Sequence, residues 1–326
     1  MTEQEFLEKW NSERASYEAW GEFISSEIHA SLVGNGIDVK LFIKIPAAPR
    51  LKSDDSLLGK AFHRGKPYGD PYSEIEDKVG IRFVVLLTSD LTRIEHAIEN
   101  NDHWSFSLDK NFEEERALKP LEFAYQSKHY VVKAAKDLEI NGAKVAAGTP
   151  CEIQIRTLLQ HAHSELTHDT IYKPQSLGQA GHKVHRTVAK SMALIEAADD
   201  FFLLVFEELE KATQDERNAL RDLTNIYAEV IGFTPSADKT NALVLHAFKN
   251  KLGDGLRARI HEFITRNPFV IERIKERSND QYIYRQPWIL LAYQLVSASP
   301  RATKANWPLT PDEIRPLFVD LAQPFD

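Results

Sequence analysis

The stretch VGIRFVVLL (residues 79–87) limits the possible folds more than any other part of the sequence. It is β-branched and continuously apolar, which is typical of a strand buried on both faces of a sheet. Further strands are predicted at 104–109, 125–134 and 151–157, and a helix at 91–100. Strands and helices mixed within about 130 residues predict an α+β domain, with a mixed β-sheet flanked by helices.

The flanking segments are predicted to be mostly helical. Residues 2–31 carry apolar side chains at helical spacing, whereas DVKLFIKIP (38–46) is predicted as a strand. After Thr157 the periodicity predicts only helices, at 158–171, 183–211, 214–231, 237–250, 256–277, 287–298 and after the capping box Thr310-Pro311-Asp312-Glu313. We therefore expect two domains, residues 1–176 with the sheet and an all-helical region at 177–326.

Composition excludes several classes of protein. The net charge of −8 argues against a protein that coats nucleic acid without sequence preference. The single cysteine, Cys151, excludes an internal disulfide and a multi-cysteine metal site, and its apolar neighbours predict a buried residue. No apolar run approaches the ~20 residues of a membrane span, and the N-terminus lacks an apolar signal core. We expect a cytoplasmic protein with no membrane contact.

Two features suit a polyanionic, phosphate-bearing ligand. From Lys40 to Lys66 the chain has seven Lys or Arg and two acids, although it is acidic as a whole. Such a cluster can bind phosphate, and it can equally be a solvated surface strip. Asp77 directly precedes the buried strand, where a carboxylate can hold Mg²⁺ together with substrate phosphates, or can be a turn residue.

Polar side chains alternate with apolar ones in two later strands. Tyr125, Ser127 and His129 share one face, where the tyrosine ring could stack on a base or belong to the core. In CEIQIRT (151–157), Glu152, Gln154 and Arg156 lie on the face opposite Ile153 and Ile155. A carboxylate, an amide and a guanidinium side by side suit a polar site, and they also suit an ordinary solvated face.

The segment HAHSELTHD (161–169) invites a metal-hydrolase interpretation, because imidazole and carboxylate suit a transition metal. On a helix, however, positions 161, 165 and 168 share a face while 163 points elsewhere, and no second His-Asp pair completes a two-metal site. The sequence therefore favours a helix that orients the neighbouring strand by hydrogen bonds.

Taken in order, five motifs resemble the RelA/SpoT synthetase domain, the alarmone pyrophosphokinase family. They are R-x-K at 50–52, Asp77 before V-G-I-R, Y-Q-S-x-H at 125–129, E-I-Q-I-R-T at 152–157 and S-E-x-x-H-D-x-x-Y-K at 164–173. The resemblance implies a nucleotidyltransferase-like synthetase fold and a transfer of the β,γ-pyrophosphate of ATP to the 3′-hydroxyl of GDP or GTP. It also implies Mg²⁺ as cofactor and a place in (p)ppGpp metabolism and the stringent response.

The resemblance assigns the ATP side of the site by motif match. Arg50 is expected to stack on the adenine, while Lys52 and Lys60 meet the ATP phosphates, with Ser56 between them. Asp77 is expected to bind Mg²⁺.

The same match assigns the acceptor side. Glu152 is expected to share the metal or to take the proton of the 3′-hydroxyl. Tyr125 would stack on the acceptor base with His129 near its phosphates, and Gln154 and Arg156 would line the acceptor. The residues expected to support the site are Arg82, Glu165 and His168.

Two departures from the family pattern leave the acceptor open. Ala124 stands where many members have glycine, and the predicted loop at 110–122 carries four glutamates against three basic residues. A toxin-like relative would instead pyrophosphorylate an adenine nucleotide or the 3′-terminal adenosine of tRNA. The helical region would then be a neutralising (antitoxin) or sensor domain, or a module for homo-oligomerisation. A catalytically inactive nucleotide-binding regulator is the third alternative.

Overall fold

The structure is a computed structural model that describes residues 1–65, 67–123, 126–167, 181–236, 238–253 and 255–325. The chain divides into two compact units, a first unit at Met1–Val205 and a second unit at Phe206–Asp326. The predicted division after residue 176 stays a prediction. The predicted fold class, a mixed sheet flanked by helices and followed by a helical region, is confirmed.

The strands of the first unit form one sheet and one small hairpin. They are β1 (Arg50–Leu51), β2 (Val79–Val85), β3 (Trp104–Lys110), β4 (Lys128–Ala134), β5 (Leu138–Ile140), β6 (Ala143–Val145) and β7 (Pro150–Thr157). The five-stranded sheet has the order β1-β2-β7-β4-β3, in which β2 and β7 are parallel and the other neighbours antiparallel. β7, the last strand in sequence, therefore lies at the centre.

Helices cover the apolar face of this sheet. The helices of the first unit are α1 (Glu3–Gly34), α2 (Val39–Phe42), α3 (Asp54–Leu58), α4 (Pro71–Glu74), α5 (Thr88–Glu99), α6 (Phe112–Leu118) and α7 (Leu158–Thr167), and α8 (His182–Ala212) begins in the same unit. Ile81 and Ile153 from the sheet join one hydrophobic cluster with Trp20 of α1 and Ile94 of α5. Cys151 is fully buried in this cluster, as predicted. Since side chains alternate along a strand, the neighbouring residues of β2 and β7 point to the opposite face.

A glycine sets the approach of α1 to the first strand. A Cβ atom at Gly21 would lie 2.5 Å from Cβ of Pro49 and 3.0 Å from Cγ2 of Val79. Real Cβ atoms do not come this close, so only glycine fits here without displacing one of the two segments. Pro49 directly precedes β1, which places Arg50 at the edge of the sheet.

The second unit is helical. Its helices are α9 (Gln214–Ile231), α10 (Lys239–Ala247), α11 (Leu256–Arg266), α12 (Phe269–Arg277), α13 (Trp288–Ala298), α14 (Pro300–Ala305) and α15 (Pro311–Asp320). The apolar helix α13 lies in the core, with Trp288 fully buried. Asp320 of α15 accepts two hydrogen bonds from Arg277, at 2.7 and 2.8 Å, and a third from the hydroxyl of Tyr293 at 2.6 Å. This partly buried pair fixes the last helix to the core.

Three predicted elements are wrong. DVKLFIKIP contains the helical turn α2 instead of a strand, because the Asp38 carboxylate accepts from the backbone N–H of Lys40 and starts a helix. The predicted loop at 110–122 contains α6, which begins where the Asn111 side chain accepts from the N–H of Glu113. The acidic first turn favours this helix electrostatically. The predicted helix at 256–277 is two helices, since Pro268 interrupts it.

Within the described residues, no helix is both long enough and apolar enough to cross a membrane.

Candidate active site

The polar face of the sheet gathers residues that are far apart in sequence. Directly paired residues of neighbouring strands point to the same face. The pairing produces two adjacent rows, Arg50, Gly80 and Glu152 in the first and Arg82, Gln154 and His129 in the second. Gly80 has no side chain, and a Cβ atom there would lie 3.9 Å from Oε2 of Glu152.

Asp77, at the entrance to β2, lies between two lysines. Lys52 Nζ donates to its Oδ2, and Lys60 Nζ lies 2.8 Å from its Oδ1. Lys60 belongs to a π-helical turn at Gly59–His63, a helix type that is frequent at functional sites. The backbone N–H of Lys52 donates to the carbonyl of Lys78 at 2.9 Å, which fixes the segment after β1 beside Asp77.

The pKa values of this cluster are set by burial and by charge pairing. Burial alone would raise the pKa of Asp77, but the ammonium groups of Lys52 and Lys60 outweigh it and hold the pKa below its usual range. Burial lowers the pKa of Lys52, and the charge of Asp77 partly opposes this. The three side chains are only about a fifth exposed, so their charges interact with little screening by water.

Glu152 stands at the centre of the polar face. Its Oε1 lies 3.2 Å from His129 Nδ1, and its Oε2 accepts from Gln154 Nε2 at 2.9 Å. Burial alone would raise the pKa of Glu152, but the contacts with His129 and Gln154 hold it below the usual range. The negative charge of Asp77 acts in the opposite direction, so the two carboxylates are close enough to repel each other.

A divalent cation would relieve that repulsion. Mg²⁺ is usually held by one or two carboxylates together with phosphate oxygens and water. Asp77 and Glu152 supply such a pair, and Lys52 and Lys60 supply charges for phosphate. Across the described parts of the chain, no group of three or more His, Cys, Asp or Glu side chains could hold a metal unaided. The donor set therefore fits an ion that is shared with a phosphate ligand.

The other predicted site residues are distributed around this centre. Arg50 is exposed on β1, and Ser56 of α3 hydrogen-bonds to Ser53 at 2.8 Å. Arg156 is 1% exposed and donates to Gln154. Arg82 donates to Glu165 of α7 at 2.8 Å.

Two predicted residues, Tyr125 and His168, lie outside the described residues. The histidines that suggested a metal site have other neighbours. His161 Nδ1 lies 3.4 Å from Arg82, and His163 Nε2 lies 3.0 Å from the hydroxyl of Ser191 on α8.

Sequence reasoning missed the polar residues that α8 contributes. Glu196 accepts a hydrogen bond from Gln126 at 2.8 Å, and Asp199 accepts one from Thr157 at 2.8 Å. Their positions on the predicted helix at 183–211 could have indicated at least one of them. Asp199 follows the fully buried Met192 by seven residues, so it falls on the buried face of an amphipathic helix, where an acid needs a partner.

Comparisons with known proteins agree with the fold and with the motifs. Residues 49–176 match the family model described as the region found in RelA / SpoT proteins. The chain contains a RelA/SpoT region. This confirms the resemblance that the five motifs indicated. The RelA/SpoT region includes every residue assigned above to ATP, metal or acceptor, and it ends before α8 begins.

Solved structures resemble the chain in fold. The small alarmone synthetase 1 from Bacillus subtilis is 18% identical with a TM-score of 0.50, and the match covers 63% of this chain and 99% of that one. A GTP pyrophosphokinase family protein from Streptococcus pneumoniae is 18% identical with a TM-score of 0.51, covering 65% and 97%. No curated protein matches the chain by sequence. At 18% identity the structural likeness is one of fold.

Proposed function

We propose that the chain is an ATP-dependent pyrophosphokinase that acts on the 3′-hydroxyl of a guanine nucleotide, GDP or GTP. The observation that carries this proposal is the arrangement of Glu152 beside the cluster of Asp77, Lys52 and Lys60 within the RelA/SpoT region. It combines a carboxylate that can receive a proton with cations that can neutralise a polyphosphate.

In the proposed reaction the 3′-oxygen of the acceptor attacks the β-phosphorus of ATP. The bond from that phosphorus to the oxygen that bridges it to the α-phosphate breaks, and AMP leaves. Glu152 receives the proton of the hydroxyl, because hydrogen bonding keeps it ionised at neutral pH. Lys52 and Lys60 bind the phosphates that move, and Arg50 stacks on the adenine.

Mg²⁺ held by Asp77 and Glu152 would neutralise charge on the transferred group. Asp77 has the further task of orienting the two lysines, which it already contacts. Because Mg²⁺ is proposed as a cofactor, transfer should be lost in EDTA and return when Mg²⁺ is added in excess.

The test is transfer of label from γ-³²P-ATP to GDP, GTP, ATP or tRNA by the purified chain. Asp77→Asn and Glu152→Gln should each abolish transfer while circular dichroism stays unchanged. Glu139→Gln, which removes an exposed carboxylate of β5, is the matched control and should keep full activity. Transfer retained by either site variant would contradict the assigned roles. ATP binding without transfer to any acceptor would favour an inactive regulator.

One observation favours a second candidate acceptor, which lacks a 5′-polyphosphate. The basic residues between positions 110 and 122 all face carboxylates: Lys110 lies 3.6 Å from Glu115, Lys119 lies 3.1 Å from Glu122, and Arg116 lies 3.1 Å from Glu196. A charged 5′-tail placed there would compete with these carboxylates. The 3′-terminal adenosine of tRNA, which carries no free 5′-polyphosphate, would then be the acceptor, and the four-acceptor assay distinguishes it from GDP, GTP and ATP.

We further propose that residues 177–326 regulate or neutralise the synthetase region, or assemble it into a homo-oligomer. A chain that ends after Ala212 retains α8 and lacks the helices α9–α15. If this chain inhibits growth, or has a different number of subunits in solution from the full chain, the helical region has one of these tasks. Unchanged growth and an unchanged number of subunits would leave it a stabilising appendage.

A further inference from the structure

A ring of hydrogen bonds joins α8 to the acceptor half of the candidate site. Gln126 Nε2 donates to Glu196 at 2.8 Å, and Gln126 Oε1 accepts from Gln160 at 3.3 Å. Gln160 Oε1 accepts from the backbone N–H of Thr157 at 3.0 Å, and the Thr157 hydroxyl donates to Asp199 at 2.8 Å. Glu196 and Asp199 are one turn apart on α8, so the ring closes on that helix.

The ring is buried. Gln126, Gln160, Thr157 and Asp199 are at most 6% exposed, and the side chain of Glu196 is 20% exposed. Hydrogen bonds between buried polar groups hold their parts in one arrangement, and they are costly to break. The ring is therefore suited to fixing the position of the segments that it joins.

Those segments are the two ends of the acceptor half of the site. Gln126 directly follows Tyr125, the residue assigned to stack on the acceptor base. Thr157 directly follows Arg156 at the end of β7, on the strand that carries Glu152. The neighbouring Ser127 hydroxyl donates to the carbonyl of Ile155 at 3.3 Å, so the segment after Tyr125 is attached to β7 as well as to α8.

Glu196 has a second contact, with the guanidinium of Arg116 on α6 at 3.1 Å. One carboxylate thus holds both the amide that follows Tyr125 and a cation of α6. The ATP half of the site is built differently, since Lys52 and Lys60 are held by Asp77.

We propose that Glu196 is a positioning residue for the acceptor, acting through Gln126 from a helix outside the RelA/SpoT region. This inference rests on the proposed pyrophosphokinase function. It implies that the acceptor half of the site is completed by the helix that leads into the helical region, whereas the ATP half is complete without it.

The test separates the two substrates. Glu196→Ala removes both contacts and should raise the acceptor KM about tenfold, the loss expected for one charge-assisted hydrogen bond, with the ATP KM unchanged within about twofold. Glu196→Gln retains an oxygen that can accept from Gln126 and loses the charge facing Arg116, so it should restore most of the affinity for the acceptor. Asp200→Ala, an exposed acid on the same helix, is the matched control.

A second measurement tests whether the ring holds its segments in place and does not require catalytic turnover. Amide hydrogen exchange in the peptide that begins at Gln126 should become faster in Glu196→Ala and stay at the wild-type rate in Asp200→Ala. An unchanged acceptor KM, or equal increases of both KM values, in an enzyme that does transfer pyrophosphate would overturn the positioning role alone. If the wild-type chain transfers pyrophosphate to no acceptor, the proposed function itself fails and the positioning role fails with it.

Discussion

The titration of Asp199 on α8 should be visible in the stability of the first unit. The side chain is 2% exposed, and burial raises the pKa of Asp199 from 3.8 to about 6, although the hydrogen bond from Thr157 opposes the shift. A raised pKa in the folded state means that folding favours the protonated form. The stabilisation is therefore fully present below pH 3.8 and is lost as the pH rises through about 6.

The size of the effect follows from these two values. With 3.8 unfolded and about 6 folded, the group contributes about 1.4 kcal/mol at pH 5 and almost nothing at pH 8. Asp199→Asn keeps an oxygen that can accept from Thr157, and it does not titrate. The unfolding free energy of the variant relative to wild type should therefore rise by about 1.4 kcal/mol between these pH values. The cost of burying the amide is the same at both and cancels.

The assay is amide hydrogen exchange of β2 and β7 peptides at increasing urea concentration, which reports the first unit by itself. Wild type and variant are compared at the same pH, so the intrinsic exchange rates cancel. Asp200→Asn, which changes an exposed neighbour on the same helix, is the control. Its unfolding free energy relative to wild type should change much less between pH 5 and pH 8. A stability difference for Asp199→Asn that is equal at pH 5 and pH 8 would refute the reasoning.

Two further substitutions test packing in each unit. Gly21→Ala should destabilise the first unit by about 1–3 kcal/mol, because its Cβ would overlap Pro49. The same change should weaken ATP binding, because it displaces β1. Gly34→Ala is the control, and since Gly34 has open space around it, this change should be neutral or stabilising. Asp320→Ala should cost about 3–5 kcal/mol in urea unfolding of the second unit, since it leaves the Arg277 guanidinium partly buried without its carboxylate. A loss below about 1 kcal/mol would indicate a solvated pair.

The sequence predicts strongly periodic elements well, because one face of each must be buried. This is why β2, β7, α5 and α9 lie close to their predicted positions. The short elements depend on single capping side chains, which the hydrophobic periodicity of the sequence does not reveal. Asp38 starts α2, and Asn111 starts α6. The hairpin of β5 and β6 has a sequence signal, the Asn-Gly pair at 141–142, and both residues have positive φ angles in the structure.

The candidate site was predictable to the extent that it follows strand alternation. Glu152 and Gln154 had to share a face, and the sheet pairing brings His129 beside them. The pairing of Asp77 with two lysines required the π-helical turn around Lys60, which has no simple sequence signal. The partners of Glu196 could not be read from sequence, because they depend on where α8 packs.

The central position of β7 has a consequence for synthesis of the chain. Within the described sheet, β2 has β1 and β7 as neighbours, and β4 has β7 and β3. The halves that carry Arg82 and His129 are thus joined through a strand that is made last. A nascent chain that ends between β4 and β7 has both edges of the sheet but no strand to connect them. Such a chain lacks Glu152 together with the strand that holds the two halves of the polar face side by side.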